Sequence, residues 1–86
     1  MMSEYNPYPQ LSDELYHQLA HAEHAKPVAS GNGGSCITIA AVGGHISIQD
    51  DKLPAEERRA RTQIYTPTEL AAFIADAKAG RYDHLI

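Results

Sequence analysis

The chain has 86 residues and a formal net charge of −4, with 7 Lys and Arg against 11 Asp and Glu. A chain of this length forms one small, marginally stable domain that buries only about 60–65% of its unfolded surface. The acidic balance argues against direct binding to nucleic acid, which needs many Lys and Arg side chains, and no apolar run approaches the roughly 20 residues of a membrane span. The single cysteine, Cys36, excludes an internal disulfide and favours a cytoplasmic location.

The first ten residues differ in composition from the rest of the chain. They contain Pro7 and Pro9, which disfavour helix at the residues before them. We therefore expect a flexible N-terminal arm over residues 1–10 and a single small domain over residues 11–86.

A helix is predicted directly after the arm. Apolar side chains recur there at i, i+4 and i+8: Leu11, Leu15, Leu19. Either Ser12 or Gln10 is a candidate first residue, and acidic residues follow that suit the positive end of a helix dipole. The helix is expected to run to about residue 25, because Pro27 ends it. The glycine-rich residues 29–35 then predict a flexible loop.

Two strands joined by a tight turn come next. Residues 36–42 and 45–50 alternate in polarity, and Gly43-Gly44 between them is typical of a two-residue type I′ turn. That turn pairs Ile39 with Ile48. The apolar residues then share one face, predicted to be the core: Ile37, Ile39, Ala41, Ile46, Ile48. The opposite face, with Thr38, Ala40, Ser47 and Gln49, is predicted to be the wetter side.

The C-terminal part predicts a short strand and a capped helix. A charged connection over residues 51–61 precedes a strand over residues 62–65. Thr-Pro-Thr-Glu at residues 66–69 is a capping box with proline at the first helical position, and Gly80 is placed to end the helix. The predicted fold is α+β, with an N-terminal helix and a small antiparallel sheet of about three strands covered by the C-terminal helix. Its predicted core residues are Ile39, Ile48, Phe73 and Ile74.

The side chains that carry chemistry form no catalytic constellation. His17, His21 and His24 lie at i, i+4 and i+7 of the predicted helix, a spacing that can present imidazoles to zinc. They lack the glutamate of a metalloprotease helix, so a solvated polar face is the favoured interpretation and they are weak metal candidates. Residues 31–34 lack the Lys-Ser or Lys-Thr of a phosphate-binding loop. Neither an enzymatic activity nor a cofactor is expected.

Several segments, taken in order, resemble one protein family. They read Ser-Gly-Asn-Gly at residues 30–33, Cys-Ile-Thr-Ile-Ala at 36–40, Ile-Gln-Asp-Asp-Lys at 48–52, Tyr-Thr-Pro-Thr-Glu-Leu-Ala-Ala-Phe at 65–73 and Lys-Ala-Gly-Arg-Tyr-Asp at 78–83. Together they resemble the actinobacterial family of domain of unknown function 397, which includes a streptomycete developmental regulator. The resemblance covers residues 28–84. The chain departs from the family pattern at Gln49, Asp51 and Leu70, where the family usually has Arg, Ser and Trp.

The resemblance implies a transcription-linked accessory role. Members are small acidic proteins often encoded beside helix-turn-helix regulators of the Xre type, so the expected partner is such a regulator and the expected role is antagonist or antitoxin-like. We expect contact through the sheet edge and through residues around Gln49, Asp50 and Lys52. The alternatives are a homodimer that forms through the same edge, or a metal-binding protein that uses the histidine stripe.

Overall fold

The α+β fold is confirmed by the structure, a computed structural model that describes residues 6–28 and 36–86. Three α-helices and three strands follow one another in the order α1 (Asp13–His21), β1 (Ile37–Val42), β2 (His45–Asp50), α2 (Ala55–Ala60), β3 (Gln63–Tyr65), α3 (Pro67–Lys78). Short 3-10 helices at Tyr8–Gln10 and Asp83–Leu85 flank them. The strands form one antiparallel sheet in the order β1-β2-β3.

The hairpin has the predicted register. Val42 pairs with His45, and Ile39 pairs with Ile48. Gly43 and Gly44 have φ of 58° and 77°, the left-handed values that a type I′ turn needs at both central residues. The turn type and the alternation of polar and apolar residues specify the same pairing of β1 with β2. A slip of one residue would exchange the two faces of the sheet.

The two turn glycines differ in their surroundings. A Cβ at Gly43 would lie 2.9 Å from Cδ1 of Leu15 on α1, whereas one at Gly44 would meet no atom within 4 Å. Both substitutions to Ala impose a left-handed backbone on a residue with a Cβ, at a cost of about 1–2 kcal/mol. We expect Gly43→Ala to be the more destabilising of the two in urea unfolding, because Leu15 must also move. Equal losses would contradict this close approach of α1 to the turn.

The predicted core is wrong, because the sheet buries its other face. Thr38, Ser47 and Gln49 are 2%, 0% and 5% exposed. Four residues of the apolar side were predicted as core. Of these, Ile39, Phe73 and Ile74 are 39%, 57% and 41% exposed, and Ile48 is half-buried. The buried hydrophobic residues of the described chain are Leu19, Ala20 and Ile64.

Hydrogen bonds explain how a polar face can be buried. Gln49 Nε2 donates to the carbonyl oxygen of Ala20 and to Oγ1 of Thr62, both at 2.8 Å. Thr38 Oγ1 donates to the Gln49 carbonyl at 3.2 Å. None of the buried polar side-chain atoms in the described residues lacks a hydrogen-bond partner, so their desolvation is compensated.

The first helix is shorter than predicted. Ser12 is the N-cap, and its side chain accepts a hydrogen bond from the Leu15 amide at 3.0 Å. The helix ends at His21, not near residue 25, because the chain turns to an extended conformation at Ala22 (φ −64°, ψ 157°). Ala25 then forms an antiparallel bridge with Ile39. Gln49 satisfies the Ala20 carbonyl near the helix end, one of the groups that a helix C-terminus leaves open.

Two other segments also differ from the sequence prediction. The charged connection contains α2, which begins after Pro54 and has Glu56 and Glu57 in its first turn. Residues 6–10 of the predicted flexible arm are held in place, since Pro7 is buried and Tyr8 contacts β3 through a hydrogen bond. Residues 1–5 and the predicted loop at 29–35 lie outside the described residues.

The third helix has both predicted ends. Thr66 and Glu69 form the capping box, with reciprocal hydrogen bonds of 3.0 and 3.2 Å. At the other end Gly80 has φ of 79°, and the Gly80 and Arg81 amides donate to the Ala77 and Asp76 carbonyls, which is a Schellman motif. None of the residues of α3 is fully buried, so the helix covers the sheet only in part.

Candidate interaction site

An open groove lies between the apolar face of the sheet and α3. It has a volume of about 770 Å³. Most of its wall is apolar, contributed by Ile37, Ile48, Leu53, Tyr65, Leu70 and Phe73. Ile37 is 68% exposed. Large apolar side chains that remain accessible together on a small domain are typical of an interaction surface.

The charged rim of the groove contains two of the three predicted contact residues. The Asp50 carboxylate accepts hydrogen bonds from the Lys52 amide and from Lys52 Nζ, each at 3.0 Å. The backbone hydrogen bond, followed by the side-chain bond, lowers the pKa of Asp50, and the same contact raises the pKa of Lys52. Arg61 and Glu69 complete the rim. It therefore carries two acidic and two basic groups.

Gln49, the third predicted contact residue, also lines the groove, but its side-chain amide is not available there. Its side chain is 5% exposed and is directed to the opposite side of the sheet, where it bonds to Ala20 and Thr62. The prediction of an exposed Gln49 is wrong because residues alternate between the two faces of a strand. Asp50 points to the groove side, and Gln49 points to α1.

The outer edge of β3 is closed to strand addition. Its outward amides are already bonded at three successive positions: Thr62 to the Arg59 carbonyl (3.3 Å), Ile64 to the Tyr8 hydroxyl (2.8 Å) and Thr66 to Glu69 Oε1 (3.0 Å). An added strand needs such amides to be available. This edge therefore offers no ladder for a partner.

The other edge of the sheet, formed by β1, is partly covered by a backbone bridge. Ala25 and Ile39 exchange backbone hydrogen bonds of 2.8 and 3.0 Å in the middle of β1. A partner strand would have to displace this bridge. The predicted docking through a sheet edge is therefore disfavoured on both sides, and the exposed face of the sheet is the better candidate surface.

The histidines do not form the predicted stripe. His17 and His21 stack on α1 with ring centroids 3.9 Å apart, and His21 Nδ1 hydrogen-bonds the His17 carbonyl at 2.9 Å. His24 lies beyond the helix end. Its Nδ1–H donates to the Ala22 carbonyl at 2.8 Å, and a second hydrogen bond of 2.7 Å joins Nε2 to Ser47 Oγ. Across residues 6–28 and 36–86, no three His, Cys, Asp or Glu side chains are grouped as metal ligands.

The two helices behind the buried face carry a second charged surface. Five carboxylates lie on α1, α2 and the residues after α1, and all are exposed: Asp13, Glu14, Glu23, Glu56, Glu57. None of them is within ion-pair distance of a basic group in the described chain. The ion pairs that do form use Asp50, Asp51 and Asp76. We call these five residues the acidic helical layer.

Comparison with known proteins finds no match. No family model matches the chain, and neither a curated protein nor a solved structure matches it. Among the described residues, no helix is both long and apolar enough to cross a bilayer. The resemblance to the family of domain of unknown function 397 therefore stays a prediction.

Proposed function

We propose that this chain is a non-enzymatic accessory protein of an actinobacterial cytoplasm that binds a basic helix-turn-helix regulator of the Xre type and modulates it, in the manner of an antitoxin. The observation that supports this role is the acidic helical layer, with five exposed carboxylates that have no ion-pair partner among the described residues. The resemblance of residues 28–84 to the actinobacterial family indicates the same class of partner.

The electrostatics favour a protein partner over DNA. A helix-turn-helix domain presents basic side chains to phosphates, and an acidic surface of matching extent competes for those side chains. The chain itself has a net charge of −4, so duplex DNA repels it. Four of the five carboxylates lie in the first turns of α1 and α2, where the helix dipoles stabilise their charge.

Charge removal tests this surface. We expect Glu56→Gln/Glu57→Gln to weaken binding to a purified Xre-type regulator from the same genome by about tenfold at low salt, because each exposed charge pair is worth up to about 1 kcal/mol. The difference should shrink as salt rises, since these interactions are screened over roughly 8–10 Å. Fluorescence anisotropy of labelled regulator measures both effects.

The matched control is Asp76→Asn/Asp83→Asn, which changes the net charge equally but at α3 and the C-terminal residues. It should bind as the parent does. Equal weakening by both variants would show that only net charge matters. Failure of the parent chain to bind any Xre-type regulator of its genome, or tight binding to duplex DNA alone, would contradict the proposed function.

A further inference from the structure

The apolar face of the sheet is open to solvent beside α3. Apart from Pro7, the buried apolar residues of the described chain are Leu19, Ala20 and Ile64, whereas Ile37 and Phe73 are 68% and 57% exposed. Small domains commonly compensate for a thin core by oligomerisation. The open face therefore offers apolar side chains that a partner could bury.

We propose that this face, formed by the groove and its rim, is the interface of a homodimer. The rim selects the partner through its charge. Asp50, Lys52, Arg61 and Glu69 line the groove and their formal charges sum to zero. A strongly basic or acidic partner gains no electrostatic attraction from a neutral rim, whereas a second copy presents the same balanced rim.

The distribution of charge allows two acidic chains to meet at this face. Each copy carries a net charge of −4, and charges of that size would oppose association if they lay at the contact. The unpaired carboxylates of the acidic helical layer instead lie on α1, α2 and the residues after α1. Gln49 and His24 tie this layer to the opposite face of the sheet. Association through the groove thus keeps the excess negative charge away from the contact.

An aromatic anchor is already held in place beside the groove. The ring of Phe73 stacks on that of Tyr82, with centroids 5.2 Å apart and planes at 25°. A ring fixed before association loses little side-chain entropy when it is buried, and aromatic residues dominate the binding energy of interfaces. In a twofold dimer each copy supplies this anchor once.

The edges of the sheet favour face-to-face contact over edge pairing. The outward amides of β3 are bonded within the chain, and β1 is bridged by Ala25. A continuous intermolecular sheet would require these bonds to break. Packing of the apolar faces requires no such change.

The test is the molar mass of the full chain as a function of concentration, by sedimentation velocity. We expect a reversible dimer whose dissociation constant changes little with salt, because the contact is apolar and its rim is neutral. Ile37→Lys should weaken the dimer by at least about 30-fold, or about 2 kcal/mol at 1.4 kcal/mol per tenfold. Phe73→Lys, on a different element, should do the same.

The matched control is Val28→Lys, which makes the same chemical change at a side chain that is 99% exposed and does not line the groove. It should leave the dimer intact. Circular dichroism of all three variants should match the parent, because the replaced side chains are mostly exposed.

The only cysteine provides a second readout. Cys36 lines the groove, so its reaction with a thiol reagent should slow as the parent protein is concentrated, and Ile37→Lys should abolish that protection. A parent chain that stays monomeric at high micromolar concentration would overturn the proposal, as would a dimer that survives both Lys variants. Protection of Cys36 only after an Xre-type regulator is added would assign the groove to that regulator instead. The dimer is expected to change little with salt, whereas binding of the regulator to the acidic helical layer is expected to weaken as salt rises. The two proposals can therefore fail separately.

Discussion

Gln49→Glu is expected to reduce the free energy of unfolding by about 3–5 kcal/mol at neutral pH, most of what a domain this small possesses. The amide of Gln49 donates two hydrogen bonds, to the Ala20 carbonyl and to Thr62 Oγ1, each at 2.8 Å. A carboxylate cannot donate either bond. It would also place a negative charge beside a carbonyl near the C-terminus of α1, the negative end of the helix dipole.

The loss should depend on pH in a defined direction. Burial and the nearby carbonyl raise the pKa of the introduced carboxyl above the ordinary glutamate value. A group of this kind contributes stability below its unfolded pKa, and that stability is lost as pH rises through the folded value. Urea unfolding from acidic to neutral pH should therefore show the variant approaching the parent in acid.

Gln63→Glu is the matched control, because Gln63 is exposed on the adjacent strand β3. It should change stability by less than about 0.5 kcal/mol. If Gln49→Glu were as stable as Gln63→Glu at neutral pH, Gln49 would not be buried between the sheet and α1.

Leu19→Ala should cost about 3 kcal/mol, within the range for a fully buried leucine. Leu19 is 0% exposed and is the largest hydrophobic side chain that the described residues bury completely. Phe73→Ala should cost less than about 1 kcal/mol when the protein is dilute enough to be monomeric, because the Phe73 ring is 57% exposed and little transfer free energy is lost. Urea unfolding of both variants gives the comparison. If Phe73 were a core residue, as predicted from the sequence, Phe73→Ala would instead cause the larger loss of free energy of unfolding.

Local signals in the sequence were sufficient for the hairpin and the last helix. Gly43-Gly44 and the alternation on each side of it specify one register, and that register is observed. Thr66, Glu69 and Gly80 place both ends of α3 to within a residue. Each of these features depends on residues that are neighbours in the chain, so no tertiary information was needed.

The choice of the buried face could not be predicted in the same way. A period of two shows that the faces of a sheet differ, but it does not show which face another element covers. Ser47 and Gln49 are polar, and the sequence alone gives no sign that His24, Ala20 and Thr62 will complete their hydrogen bonds. These contacts join residues 13 to 29 positions apart in the chain. They also explain why α1 ends at His21 and not at the residues before Pro27.

The sequence of α2 is typical of a helix, although its many charges led to the prediction of a connection without regular structure. Pro54 is followed by Ala-Glu-Glu-Arg-Arg-Ala, with acidic residues in the first turn and basic residues in the last. These are strong helix formers arranged to suit the helix dipole. For the candidate site, the contact between Asp50 and Lys52 is local and could be anticipated. The groove depends on how far α3 stands from the sheet, which no local pattern reports.

The central claim is that the sheet packs its polar face inward and leaves its apolar face open. Adjacent residues on β1 test it directly, because Ile37 is 68% exposed and Thr38 is 2% exposed. In a Cys36→Ser background, Ile37→Cys and Thr38→Cys should be prepared and their reaction with a thiol reagent timed in dilute protein. The structure predicts fast reaction at position 37 and strong protection at position 38. Protection at position 37 with fast reaction at position 38 would contradict it.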